Sequence, residues 1–79
     1  MISKYKRKTC TVEAIQWTGN NTGNILEFCR RVYIIGNEIV IKTNNGNLRA
    51  SPGTYIVKEY NGDLYCYTRE LFVELFDQV

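Results

Sequence analysis

The chain has no histidine and only one proline, one methionine and one tryptophan. Without histidine, both the commonest general base and the commonest metal-ligating side chain are missing. Its three cysteines, Cys10, Cys29 and Cys66, are widely spaced and form no C-x-x-C pair, which argues against a structural zinc site. Their odd number, behind a basic opening with no apolar run, predicts free thiols in a reducing cytosol and no signal peptide. No apolar run approaches membrane-spanning length, so no membrane partner is expected. Net charge is also small, at +2, and four of the ten basic residues fall at positions 4–8. That cluster is expected to be a solvated, frayed terminus. Binding to duplex DNA or RNA would require a basic stripe spread over one face, so nucleic acid is not an expected partner.

What remains is a β-rich text of 79 residues, enough for one domain over 1–79. A chain this short gains from oligomerisation, and a homo-oligomer is expected. Residues 9–17 are rich in β-branched and apolar types. Cys10, Val12 and Ala14 would share one face, and Thr11, Glu13, Ile15 and Trp17 the other, so the strand should be central. Asn24 with Glu27 three residues on resembles a capping box, with Thr22 as a competing N-cap. Ile25, Phe28, Cys29 and Val32 then repeat as the buried stripe of a short helix. Tyr33–Ile35 and Glu38–Thr43 flank Gly36-Asn37 as a hairpin. Asn44-Asn45-Gly46-Asn47 is the strongest turn signal, with a short return strand at Leu48-Arg49-Ala50. Ser51-Pro52-Gly53-Thr54 has the type II turn preference. Strands over Tyr55–Tyr60 and Asp63–Tyr67 flank Asn61-Gly62. Thr68 can cap a final helix with an apolar face of Leu71, Phe72, Leu75 and Phe76. The expected class is α+β: about six short strands in a small curved antiparallel sheet with two short helices, in the order β-α-β-β-β-β-β-α.

Catalysis would need a nucleophile with a base, a metal, or a split carboxylate pair. Glu13 is the one carboxylate placed for an unusual environment, and a lone group there more simply pairs with a Lys or Arg. An enzyme is not expected, nor is a cofactor. Binding is better supplied. The strand ending at Trp17 runs through Thr18, Gly19 and Asn20 into a helix, so loop N–H groups and the positive helix end would converge beside an aromatic face. Arg30, Arg31, Arg49 and Lys58 could meet phosphate, and tyrosines such as Tyr65 could stack on a base. Each has an ordinary alternative. Trp17 could fill the core, and Arg30 and Arg31 could simply answer the dipole at the helix C-terminus. Of Tyr65 and Tyr67, which share a face, at least one should carry its hydroxyl outward. The candidate ligand-binding set is Trp17, Thr18, Gly19, Asn20, Arg30, Arg49 and Tyr65.

Several stretches also resemble a family of small phage and prophage proteins often labelled by a Pro-Gly-Asp-Tyr-Gly-type motif. They are Lys4-Tyr5-Lys6-Arg7-Lys8, Val12-Glu13-Ala14-Ile15-Gln16-Trp17-Thr18-Gly19, Ile41-Lys42-Thr43 with Gly46, Pro52-Gly53 with Tyr55-Ile56-Val57-Lys58, and Gly62-Asp63-Leu64-Tyr65. The likeness spans nearly the whole chain, ending in an aromatic helix that closes at Val79. Thr54 stands where the family has Asp, and Cys66-Tyr67 replaces its Pro-Cys. The resemblance implies a small non-enzymatic protein that neutralises a host system in the cytoplasm of an infected bacterium. A sponge for a cyclic nucleotide immune signal fits that class, with the ligand at a subunit interface. The alternative is an inhibitor that binds a host protein directly through exposed aromatic and sheet-edge surface.

Overall fold

The computed structural model describes residues 2–7, 10–44 and 46–78, and side chains at 2, 11–44 and 46–76. Eight strands and two helices are found among them: β1 (Ser3–Arg7), β2 (Cys10–Gln16), α1 (Thr22–Phe28), β3 (Val32–Ile35), β4 (Glu38–Thr43), β5 (Gly46–Ala50), β6 (Tyr55–Lys58), β7 (Leu64–Tyr67), α2 (Arg69–Leu75) and β8 (Asp77–Gln78). The fold is α+β, and from β2 to α2 the order is the expected one. The strands divide into two antiparallel sheets, β7-β6-β2-β1-β8 and β3-β4-β5. The basic opening, expected as a frayed terminus, supplies β1 over Ser3–Arg7, whose backbone pairs with Ala14–Cys10. Lys8, Thr9 and Val79 lie outside the described residues.

β2 is central, between β1 and β6, and its alternation separates two cores. Val12 and Ala14 join Val57, Phe72 and Phe76 on the face covered by α2. Ile15 and Trp17 join Ile25, Phe28, Ile39, Ile41 and Ile56 between the larger sheet, α1 and the smaller sheet. A sheet buried on both faces carries apolar residues in both registers, as β2 does. On the α2 side the rings are in contact: Tyr55 stacks on Phe72 at 4.0 Å and Phe72 lies 4.9 Å from Phe76. Tyr67 meets Phe76 edge-on at 5.3 Å. Such pairs add roughly 0.5–1.5 kcal/mol each beyond the area they bury.

The turn chemistry follows the residues. Gly53 has φ of 100° and Thr54 N–H donates to Ser51 O, the geometry expected of Pro-Gly in a type II turn. Gly62, with φ of 91°, closes the β6–β7 turn, and its N–H donates to Glu59 O. The β4–β5 turn is closed by the Thr43–Gly46 pair, although Asn45, the centre of the strongest turn signal, lies outside the described residues. Thr68 caps α2 by accepting from Leu71 N–H at 3.3 Å.

Two helix boundaries differ from expectation. α1 begins at Thr22 with Asn21 in the cap position, rather than at Ile25 behind Asn24. It ends at Phe28, and Val32 belongs to β3. Of the expected α2 face, Phe72 and Phe76, the latter just past the helix end, are buried, while Leu71 and Leu75 are exposed. A single sheet face covers a narrower stripe than the periodicity alone suggests.

Candidate ligand-binding groove

The antiparallel strands give the molecule two ends. One gathers the β2–α1 loop, the Gly36-Asn37 turn, the Ser51–Thr54 turn and the start of α2. The other gathers the end of α1, Arg30 and Arg31, the β4–β5 turn and the β6–β7 turn.

At the first end the expected site residues are tied into the fold. Trp17 is only 1% exposed, and its indole Nε1–H donates to Asn37 O at 3.0 Å. The ring is therefore core and offers no face to a ligand. Asn21 explains the loop: its Nδ2 donates to Gln16 O at 2.8 Å, and its Oδ1 accepts from Thr18 N–H at 3.0 Å. The Thr18 hydroxyl lies 2.8 Å from Asn20 Oδ1 and 3.0 Å from Asn21 Oδ1, its donation shared between them. Gly19 has φ of 99°, and a Cβ there would come within 3.4 Å of the Pro52 ring. Trp17 N–H donates to Thr54 O, Gly53 N–H to Trp17 O and Gln16 Nε2 to Gly53 O, joining loop to turn. Both donors of Thr18, its N–H and its hydroxyl, are thus consumed within the loop. α1 has only seven residues, which limits its dipole. A hollow of about 310 Å³ beside this knot is lined by Arg69 and Glu70, whose charges oppose each other.

The remaining expected residues are dispersed. Arg49, on β5, has its Nε 2.7 Å from Glu38 Oε1, and Ser51 Oγ is 3.1 Å from Glu38 Oε2. The Arg49 and Ser51 hydrogen bonds hold the Glu38 carboxyl below its usual range. Tyr65 is 42% exposed on the edge strand β7, opposite Val57. It shares no site with Trp17, which packs on the other side of the sheet.

Arg30 lies at the second end, in a groove of about 230 Å³ lined by Arg30, Arg31, Lys42, Thr43, Asn44, Gly62, Asp63 and Leu64. Lys42 N–H donates to Arg31 O at 2.9 Å, fixing the chain after α1 against β4. The Lys42 ammonium sits 5.3 Å from the centre of the exposed Tyr33 ring. Asp63, on the opposite wall, is held by its turn: Asn61 Nδ2 donates to Asp63 Oδ2, and Asp63 N–H donates to Asn61 Oδ1, both at 3.1 Å. Among the described residues the Arg49–Glu38 contact is the only salt bridge, so Arg30, Arg31 and Lys42 enter the groove without a carboxylate partner.

Lys58, also considered for phosphate, has a structural role at this end. Its Nζ donates to Phe28 O at 2.6 Å and sits 4.5 Å from the centre of the Phe28 ring. It is the cation at the C-terminus of α1, the place expected for Arg30 and Arg31; the last turn of the helix has no basic residue of its own. Glu13 stands across from Lys58 in the β2–β6 register and is exposed. The Cys29 thiol is pushed up to about 11 by burial, against the pull of Lys58, and burial also pushes the Cys66 thiol up to about 11. Both are packing groups rather than nucleophiles at neutral pH.

Sequence reasoning missed Lys42 and Asp63 as partners of Arg30. The Ile41-Lys42-Thr43 and Gly62-Asp63 motifs flagged these positions, but only the packing of the two sheets against each other brings them to facing walls of one groove. Comparison with known proteins finds no matching family model, no matching curated protein and no matching solved structure. Among the described residues, no helix is long and apolar enough to cross a membrane.

Proposed function

We propose that this protein is a non-catalytic binder of a small phosphate-bearing nucleotide, held in the groove of Arg30, Arg31 and Lys42. The role that fits best is sequestration of a cyclic or ADP-ribose-like signal in the cytoplasm of an infected bacterium. One observation carries the reading: three cationic residues line a single groove with no carboxylate in ion-pair contact among the described residues, and one fixed carboxylate, Asp63, lines it with them. Guanidinium and ammonium groups form strong charge-assisted hydrogen bonds to phosphate oxygens. Asp63 offers only acceptors, suited to a ribose hydroxyl or an exocyclic amine. A donor wall facing an acceptor suits a nucleotide better than a bare anion. The exposed Tyr33 ring beside Lys42 supplies a flat surface close by. The resemblance to small phage proteins supports the host-signal role.

A thermal-shift screen against cyclic dinucleotides, cyclic trinucleotides and cyclic ADP-ribose isomers tests this. At a hundredfold excess over Kd, linkage stabilises the fold by about 2.7 kcal/mol, a rise of roughly 10–20 °C in Tm for a domain of this size. Arg30→Ala or Lys42→Ala should weaken binding by roughly tenfold or more while leaving the unliganded Tm unchanged. No shift with any nucleotide would refute the reading. A shift that survives both substitutions would move the ligand elsewhere.

A further inference from the structure

Asp63 is the one acidic residue that lines the groove with Arg30, Arg31 and Lys42, and its carboxylate is only half used. Its Oδ2 accepts from Asn61 Nδ2, and with the Asp63 N–H bond to Asn61 Oδ1 this fixes the side chain in its turn. Among the described residues nothing donates to Oδ1, and none of the three cations is in ion-pair contact with the carboxylate. A fixed, unpaired carboxylate repels a bare anion and favours a ligand that brings a hydrogen-bond donor. The volume decides which donor that is. Pockets that enclose a whole drug-sized molecule run to about 300–1,000 Å³, whereas this groove holds about 230 Å³. It has room for a phosphate and its adjoining sugar but not for the base as well. The exposed Tyr33 ring beside Lys42 is not among the residues that line the groove. With the phosphate on the cations, the sugar is the part that reaches Asp63, and the base is left outside, toward Tyr33.

We propose that Asp63 makes the groove a ribose-phosphate site: its Oδ1 accepts from a 2′- or 3′-hydroxyl and so selects ribonucleotides over deoxyribonucleotides and free phosphate. This rests on the nucleotide reading of the groove and narrows it, taking the sugar rather than an exocyclic amine as the donor. Affinity and selectivity then come from different residues. Arg30, Arg31 and Lys42 attract any phosphate, while Asp63 opposes every phosphate by like charge and is offset only where a hydroxyl is donated. A hydrogen bond to a charged group is worth about tenfold or more in affinity. Buried sites built for a hydroxyl reject the analogue lacking it by roughly ten-thousandfold. Asp63 is half-exposed, so water replaces a missing hydroxyl and the discrimination stays nearer tenfold.

NMR titration of the labelled protein into the millimolar range, with AMP, 2′-deoxy-AMP, 3′-deoxy-AMP and inorganic phosphate, tests this. Wild type should bind AMP at least about tenfold more tightly than one of the two deoxy analogues. Asp63→Asn keeps a carbonyl for Asn61 and removes the charge, and it should bring AMP and that analogue to similar affinities. It should also bind inorganic phosphate more tightly than wild type, a gain that mere loosening of the turn would not produce. Asp63→Ser, which likewise lacks the charge and keeps a hydroxyl for Asn61, serves if Asp63→Asn does not fold. Both deoxy analogues binding as tightly as AMP overturn the inference, as does a preference for AMP that survives in the folded variant. In either case the nucleotide reading stands if Arg30→Ala abolishes AMP binding. AMP that binds no better than phosphate also overturns the inference, and the cyclic-nucleotide screen then decides the wider reading separately.

Discussion

The two ends of the molecule use their polar groups differently. At the Trp17 end, the donors around the tryptophan have internal acceptors: the indole on Asn37 O, Asn21 on Gln16 O, Gln16 on Gly53 O. At the Arg30 end, Lys58 is engaged on Phe28 O, yet Arg30, Arg31 and Lys42 line an open groove without ion-pair partners among the described residues. Groups already satisfied by the fold must break those bonds to meet a ligand, at a cost that a solvated cation does not incur. The end that reads most like a binding loop in sequence is therefore a structural knot, and the plainer end is the better site.

The largest test of that contrast is Trp17→Ala. Truncating a buried tryptophan costs about 3–5 kcal/mol, a large share of the stability of a small domain, and the variant should be mostly unfolded. Trp17→Phe keeps much of the volume and loses the hydrogen bond to Asn37 O, so it should fold with a smaller loss of stability in urea titration. Its nucleotide affinity should match wild type. A folded Trp17→Phe protein that no longer binds would collapse the distinction between the two ends.

Lys58→Met sharpens the comparison within the second end. It keeps an apolar stem beside the Phe28 ring and removes the cation from the last carbonyl of α1. A partly buried cation at a helix C-terminus is worth about 1–2 kcal/mol, and chemical denaturation should show that loss. Groove affinity should hold. Arg30→Ala should do the reverse, losing ligand without losing stability. If both substitutions lower stability alike, the groove arginines are structural too.

These roles divide along what local sequence can carry. The alternation of Val12, Ala14, Ile15 and Trp17, the Pro52-Gly53 turn and the Thr68 cap are local, and each was legible because side-chain direction and turn dihedrals depend on near neighbours. The partition into two sheets was not, since it depends on pairing Glu13–Gln16 with Lys58–Tyr55, distant in the chain. That same pairing delivers Lys58 to Phe28 O, so the cation answering the helix dipole comes from β6 rather than from Arg30. Trp17 could be assigned to a face, but only the smaller sheet closing over that face decides that it is core. Asn21 was obscured by competition: its amide ties the end of β2 to the loop instead of capping the helix. Of the expected site residues, Arg30 alone lines the groove, and its companions Lys42 and Asp63 reach it only through the packing of the two sheets.

The smallest expected effect belongs to Arg49, a site candidate that the structure pairs with Glu38 on the exposed face of the smaller sheet. Exposed pairs contribute little, so Arg49→Ala should lower Tm by about a few degrees at most near neutral pH. The sign with pH is fixed by the depressed Glu38 carboxyl. A lowered folded value means the pair stabilises above the ordinary carboxylate range and ceases to do so as pH falls through the folded value. The Tm gap between wild type and Arg49→Ala should therefore close in acid, as calorimetry at neutral and strongly acidic pH would show. A gap that persists in acid would mean that Arg49 stabilises by packing its stem on the sheet rather than by charge. Nucleotide affinity should be unaffected, because Arg49 is committed to Glu38 and does not line the groove.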